Sequence, residues 1–178
     1  METSVLVVFH SNCAVCRKVA QHLATRQRWD IAEVTESSSR GGMIGFLRGM
    51  LDALLHRKLR IRYEGREPLM YERVVVVSPV QALRLSKPMR AFIDSRAPLL
   101  RNLSAVITTN KIGARNAFAD VTQLLGKPPK HTLALTRQQL ATTHGDEALH
   151  QLSQRVAAEL PVKKQVVARK ELSLTANE

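Results

Sequence analysis

The chain has 178 residues, 44% of them hydrophobic, and a formal net charge of +12. That is enough apolar material for one sizeable core, and it excludes a disordered polymer; no apolar run approaches the roughly 20 residues a membrane-spanning helix needs. The start, Met1-Glu2-Thr3-Ser4, lacks the basic segment of a secretory signal, so the expected compartment is the cytoplasm, and two cysteines make no disulfide scaffold.

Residues 5–9, VLVVF, read as a strand buried on both faces. Val15, Val19 and Leu23 then recur at the spacing of one helix face. A second strand is expected at 29–34, with Trp29 as packing. After the polar stretch 35–42 a helix is expected from Met43, striped by Leu47, Met50 and Leu54 and weakened by Gly45 and Gly49. Residues 74–77 give a third strand. Ser86-Lys87-Pro88 reads as an N-cap with proline in the first turn of a helix carrying Met89, Phe92 and Ile93, with Pro98 at or just beyond its end. A fourth strand is expected at 103–109, and Ala117, Phe118, Val121 and Leu125 form the inner face of the next helix, closed by Gly126 and Pro128-Pro129. Residues 132–136 are the short fifth strand, and a last helix starting at Gly145-Asp146 carries Leu149, Leu152, Val156 and Leu160. This alternation predicts an α/β domain over 1–160, an open five-stranded parallel sheet with helices on both faces, followed by a polar tail over 161–178.

The loop between the first strand and helix holds both cysteines. A helix start leaves backbone N–H groups unpaired and carries partial positive charge, so Ser11 to Arg17 is built to hold an anion or to lower a thiol pKa. Cys13-x-x-Cys16 places a nucleophilic thiol and a resolving thiol one turn apart, with Arg17 and Lys18 beside them, which makes both candidate catalytic residues of a dithiol redox protein. His10 adds a third soft ligand, but tetrahedral zinc wants a fourth and no nearby spacing supplies one, so no metal is expected. Asp52 and Asp120 sit on helices without a paired carboxylate, which argues against acid/base hydrolysis.

Charge is concentrated between Arg57 and Arg101, where eleven basic residues meet four acidic ones. Such a field suits an acidic partner protein or a polyanion, with Arg84, Lys87 and Arg90 as contact candidates. Tyr63 and Tyr71 are too few aromatics for a base-stacking surface.

Several phrases, in this order of segments, resemble the flavodoxin family, in particular its short bacterial and protoporphyrinogen-oxidase-type members. They are RKVA at 17–20, GFLRG at 45–49 followed by Asp52-Ala53-Leu54, SPV at 78–80, Ala117-Phe118-Ala119-Asp120 and Leu124-Leu125-Gly126. The resemblance implies strand order 2-1-3-4-5 and FMN at the point where that order reverses. It implies phosphate binding by Ser11, Asn12, Cys13, Ala14, Val15, Cys16 and Arg17, and a ring slot between Ser78, Pro79, Val80, Gln81, Ala82 and Leu83 on one side and Thr109, Asn110, Lys111, Ile112 and Gly113 on the other. All three loops depart from the family pattern. Where relatives read Ser-x-Thr-Gly-Asn-Thr, this chain has thiols for both threonines, alanine for glycine and valine for asparagine; where they carry Ser-Pro-Val-Trp-Ala-Gly, it has Gln81 for the stacking tryptophan and Leu83 for the glycine. The expected function is a flavodoxin-like redox or electron-transfer protein with a weak FMN site, which would make it an FMN-dependent oxidoreductase. The alternatives are an FMN-less interaction protein using its basic face and a CxxC dithiol redox protein.

Overall fold

The first strand, β1 (Val5–His10), is the middle of the sheet, and all six of its residues are buried. The computed structural model describes residues 4–10, 12–37 and 59–160. From β1 the chain passes through α1 (Ala14–Gln27) to β2 (Asp30–Glu36), which pairs parallel to one edge of β1. Arg28 closes α1 in a left-handed conformation and Trp29 enters the core, so β2 starts at Asp30 rather than at Trp29. After β3 (Ile61–Glu64) the chain crosses to the other edge of β1 as β4 (Arg73–Gln81), then turns back on itself as β5 (Arg84–Leu85). Next come α2 (Lys87–Arg96), β6 (Leu103–Thr109), α3 (Ala114–Leu125), β7 (Thr132–Thr136), the single turn α4 (Arg137–Leu140) and α5 (Thr143–Ala158).

The five parallel strands stand in the order β2-β1-β4-β6-β7, which is the expected 2-1-3-4-5 arrangement. Among the described residues the sheet has seven strands rather than five, because β3 adds an antiparallel edge to β2 and β5 pairs antiparallel with β4. Alternation along β1 divides the core. Val5, Val7 and Phe9 pack with Val19 and Leu23 of α1 and with Leu149, Leu152 and Val156 of α5. Leu6 and Val8 pack with Met89, Phe92 and Ile93 of α2 and with Ala117 and Val121 of α3. Strands buried on both faces explain the near-continuous Val-rich runs.

Gly126 ends α3 in a left-handed conformation, the backbone state a side chain resists, as its position in the sequence predicts. Ser86 precedes α2 as expected but does not cap it: its hydroxyl bonds Ser78 Oγ at 2.9 Å instead. The last helix starts at Thr143, ahead of the predicted Gly145. The helix expected from Met43 and the tail from 161 lie outside the described residues. Among the described residues, no helix is long and apolar enough to cross a membrane.

Candidate functional site

Parallel strands end together, so the loops after β1, β4 and β6 meet on one side of the sheet, and the chain reverses its strand order between β1 and β4. A cleft of about 70 Å³ lies there, lined by Cys13, Val15, Pro79, Val80, Thr108, Thr109, Asn110 and Arg137. The structure thus brings predicted residues from all three loops together and adds Thr108 and Arg137. Ser11 lies outside the described residues.

Cys13 is the N-cap of α1, and its Sγ accepts the backbone N–H of Cys16 at 3.2 Å. Cys16 is fully buried, with its Sγ 3.3 Å from Thr108 Oγ1. The two thiols are driven apart. Cys13 is held down at about 6, first by its hydrogen bond with Cys16 and then, against the cost of partial burial, by the Cys16 and Val15 amides. The Cys16 thiol is pushed up by the same bond and by burial. Cys13 Sγ therefore occupies the N–H group at the helix start where an anion would otherwise sit. Asn12 and Ala14 are exposed beside it. Arg17 turns away, its guanidinium 3.1 Å from Glu33 and stacked over Phe9, so it serves neither the thiols nor an anion in the cleft. His10, just below the loop, is buried, its Nδ1 without a hydrogen-bond partner among the described residues, and burial lowers its pKa against the opposing pull of Glu36.

The second loop is a tight hairpin. Val80 pairs with Leu85 and Gln81 with Arg84, leaving Ala82 and Leu83 as a two-residue turn with φ of 47° and 62°. Non-glycine residues resist that region, at about 1 kcal/mol or more each. Asp120 of α3, only 2% exposed, restrains the turn by accepting from the Leu85 backbone N–H at 3.0 Å, from Arg84 Nε at 3.0 Å and from Arg90 at 2.8 Å. Burial alone would raise the Asp120 pKa, but Arg84, the Leu85 amide and Arg90 together bring it below the usual carboxylate range. Arg84 and Arg90, expected as partner contacts, are thus engaged within the fold. Ser78 is equally committed, its hydroxyl held by Ser86, whereas Gln81 and Ala82 are exposed.

In the third loop Thr109 Oγ1 donates to the Ile112 carbonyl at 2.7 Å, and Asn110 and Lys111 are exposed. Gly113 has φ +95°, and a Cβ there would stand 2.7 Å from Val80 Cγ1 and 3.1 Å from the Leu83 Cα, so the two loops meet only because this residue is glycine. At their meeting Leu83 is 49% and Ile112 68% exposed. Both lie within the ring slot expected from the sequence, Ser78 to Leu83 and Thr109 to Gly113, where Leu83 stood out as a bulky residue in place of glycine.

No family model matches the chain, and no curated protein matches it. Solved structures do. It is similar to a flavoprotein in complex with FMN from Lactobacillus acidophilus NCFM (13% identity, 74% of this chain and 93% of that chain, TM-score 0.59). The apo-form of the flavoprotein from that organism also matches (14%, 80% and 97%, TM-score 0.55), as does a flavodoxin, WrbA-like protein from Agrobacterium tumefaciens (14%, 94% and 98%, TM-score 0.56). The chain has a flavodoxin-like fold. At these identities the likeness carries the fold alone.

Proposed function

We propose that this protein is a flavodoxin-like redox protein that holds FMN weakly at the reversal of strand order. The observation that carries the reading is Leu83. A leucine both half exposed and at positive φ costs the free chain twice, and a flat apolar ligand lying against it and Ile112 offsets the exposure. The flavodoxin-like neighbours, one of them in complex with FMN, support the choice of ligand. The residues present fit the ring end of the group better than its phosphate end. A cleft of about 70 Å³ is far smaller than the several hundred Å³ of a typical small-molecule site, so Leu83 and Ile112, exposed on the loops beside it, would be the residues to hold the ring. The α1 amides suit a phosphate but already serve Cys13, which makes the site weak. Bound FMN supplies electron carriage through its ring system. The chain's own part is to cover one ring face, to bring Lys111 near it, and to keep the loops in register through Asp120.

The test is a fluorescence titration with FMN. Quenching at micromolar protein is expected, and Leu83→Asn, which suits the left-handed turn but removes the apolar surface, should weaken binding about 10-fold without loss of stability. Absence of any fluorescence change at high micromolar protein refutes the reading.

Exposed cations at the rim, namely Lys87, Lys111 and Arg115, favour an acidic redox partner docking over the same mouth.

A further inference from the structure

Beside the cleft runs a second cavity, of about 320 Å³, between α1, α4 and α5. The two share Val15 and Arg137. Its floor is apolar, from Val19, Leu140 and Leu149, and its rim carries Lys18, Arg137 and His22 against a single acid, Asp146, which stands 3.8 Å from His22. An anionic ligand with apolar contacts suits that lining, and the shared Val15 and Arg137 set the cavity next to the cleft that Cys13 lines. The thiols are arranged for exchange: Cys13 is half-buried at the cleft, and Cys16 sits one turn behind it, closed to solvent.

We propose that Cys13 and Cys16 form a disulfide-exchange pair whose substrate is an anionic small-molecule disulfide seated in this groove by Lys18 and Arg137. The Cys13 thiolate attacks one sulfur of the substrate, breaking its S–S bond and releasing one half as a thiolate. Cys16 then attacks Cys13 Sγ of the mixed disulfide, and the second half leaves with the Cys16 proton. Two electrons pass from the protein dithiol to the substrate disulfide, yielding two small thiols and a Cys13–Cys16 bond. Partition between the thiols sets the order. Cys13 is ionised near neutrality, and Cys16 gains nucleophilicity once the negative charge beside it is capped in the mixed disulfide. No flavin takes part in the exchange, so the chemistry can be tested on flavin-free protein whether or not FMN binds.

The experiment uses the reduced full chain, free of flavin, with oxidised glutathione as the anionic probe and hydroxyethyl disulfide as the neutral one, followed by intact mass. Wild type should lose two hydrogens and end as the internal disulfide, while Cys16→Ser should stop at one glutathionyl adduct. The rate ratio of anionic to neutral probe should exceed that of a free thiol, fall with salt, and drop about 10-fold in Lys18→Glu/Arg137→Glu, with Arg155→Glu on the exposed side of α5 as a charge-matched control. The ratio and its salt dependence are read on wild type, so a misfolded variant leaves the test intact. A ratio equal to that of a free thiol, or an adduct that never resolves to the internal disulfide, overturns the proposal.

Discussion

Replacing Asp120 by alanine tests how the second loop is held. The buried Leu85 N–H would lose its carboxylate acceptor, at about 1–3 kcal/mol. Arg90, 35% exposed, would lose an ion pair that solvent largely replaces, at about 0.5–1 kcal/mol. Arg84, more exposed still, is rehydrated and given no share. The expected loss is about 2–3 kcal/mol, or a Tm lower by about 5–10 °C for a chain of this length. Asp120→Asn keeps an oxygen for the Leu85 N–H and should lose about half as much. The pH dependence follows from the depressed carboxyl: its stabilisation is full above the unfolded pKa of about 3.9 and is lost as pH falls through the lower folded value. The gap between wild type and Asp120→Asn, read by denaturant unfolding from neutral to acid pH, should therefore close below about pH 4. A deficit under about 0.5 kcal/mol for Asp120→Ala, or a gap that widens in acid, would show that Asp120 does not restrain the hairpin.

Two further outcomes can be read directly. Iodoacetamide should alkylate Cys13 with a rate that rises through a midpoint near pH 6, whereas Cys16 stays unreactive until the chain unfolds; a midpoint at the free-thiol value would remove the case for a helix-start thiolate. Reversing charge at Lys87, Lys111 and Arg115, rather than at Arg84 and Arg90 with their fold contacts to Asp120, should slow capture of an acidic redox partner in low salt and leave thermal stability within about 0.5 kcal/mol; capture indifferent to both salt and charge would leave the rim a solvated surface.

The parallel framework was legible because its signals are redundant. β1, β6 and β7 are apolar runs bounded by turn residues, and the helices between them repeat their apolar residues at helical spacing. β3 was not, since Ile61–Glu64 alternates apolar and charged residues over only four positions, and β5 has two residues. α4 carried a readable sign: Thr136 and Gln139 form a capping box, with the Thr136 hydroxyl accepting from the Gln139 N–H at 3.2 Å. In the site, the helix start and its thiols could be placed from sequence because one strand-loop-helix unit contains them. The roles of Arg84, Arg90 and Ser78 could not, because charge and hydroxyls show what a residue can bond, not which partner lies opposite. The loops that carry Leu83 and Ile112 come together only in the fold, where Gly113 lies against Val80 and Leu83.

The helix start imposes a choice between the two chemistries proposed for it. The Cys16 amide, 3.2 Å from Cys13 Sγ, serves one acceptor at a time, and here that acceptor is the Cys13 sulfur, whose thiol pKa is held down at about 6. An FMN phosphate approaching the same amides meets a like charge and donors already engaged. Forming the Cys13–Cys16 disulfide removes the charge and weakens the sulfur as an acceptor. FMN should therefore bind the oxidised chain more tightly than the reduced one, and by linkage FMN should favour the disulfide by the same factor. A titration of each redox form measures the coupling, expected at about 1–3 kcal/mol or 5- to 150-fold in affinity. Equal affinity in the two forms would mean that the phosphate, if bound at all, does not use the α1 amides, and would separate the thiols from the flavin site.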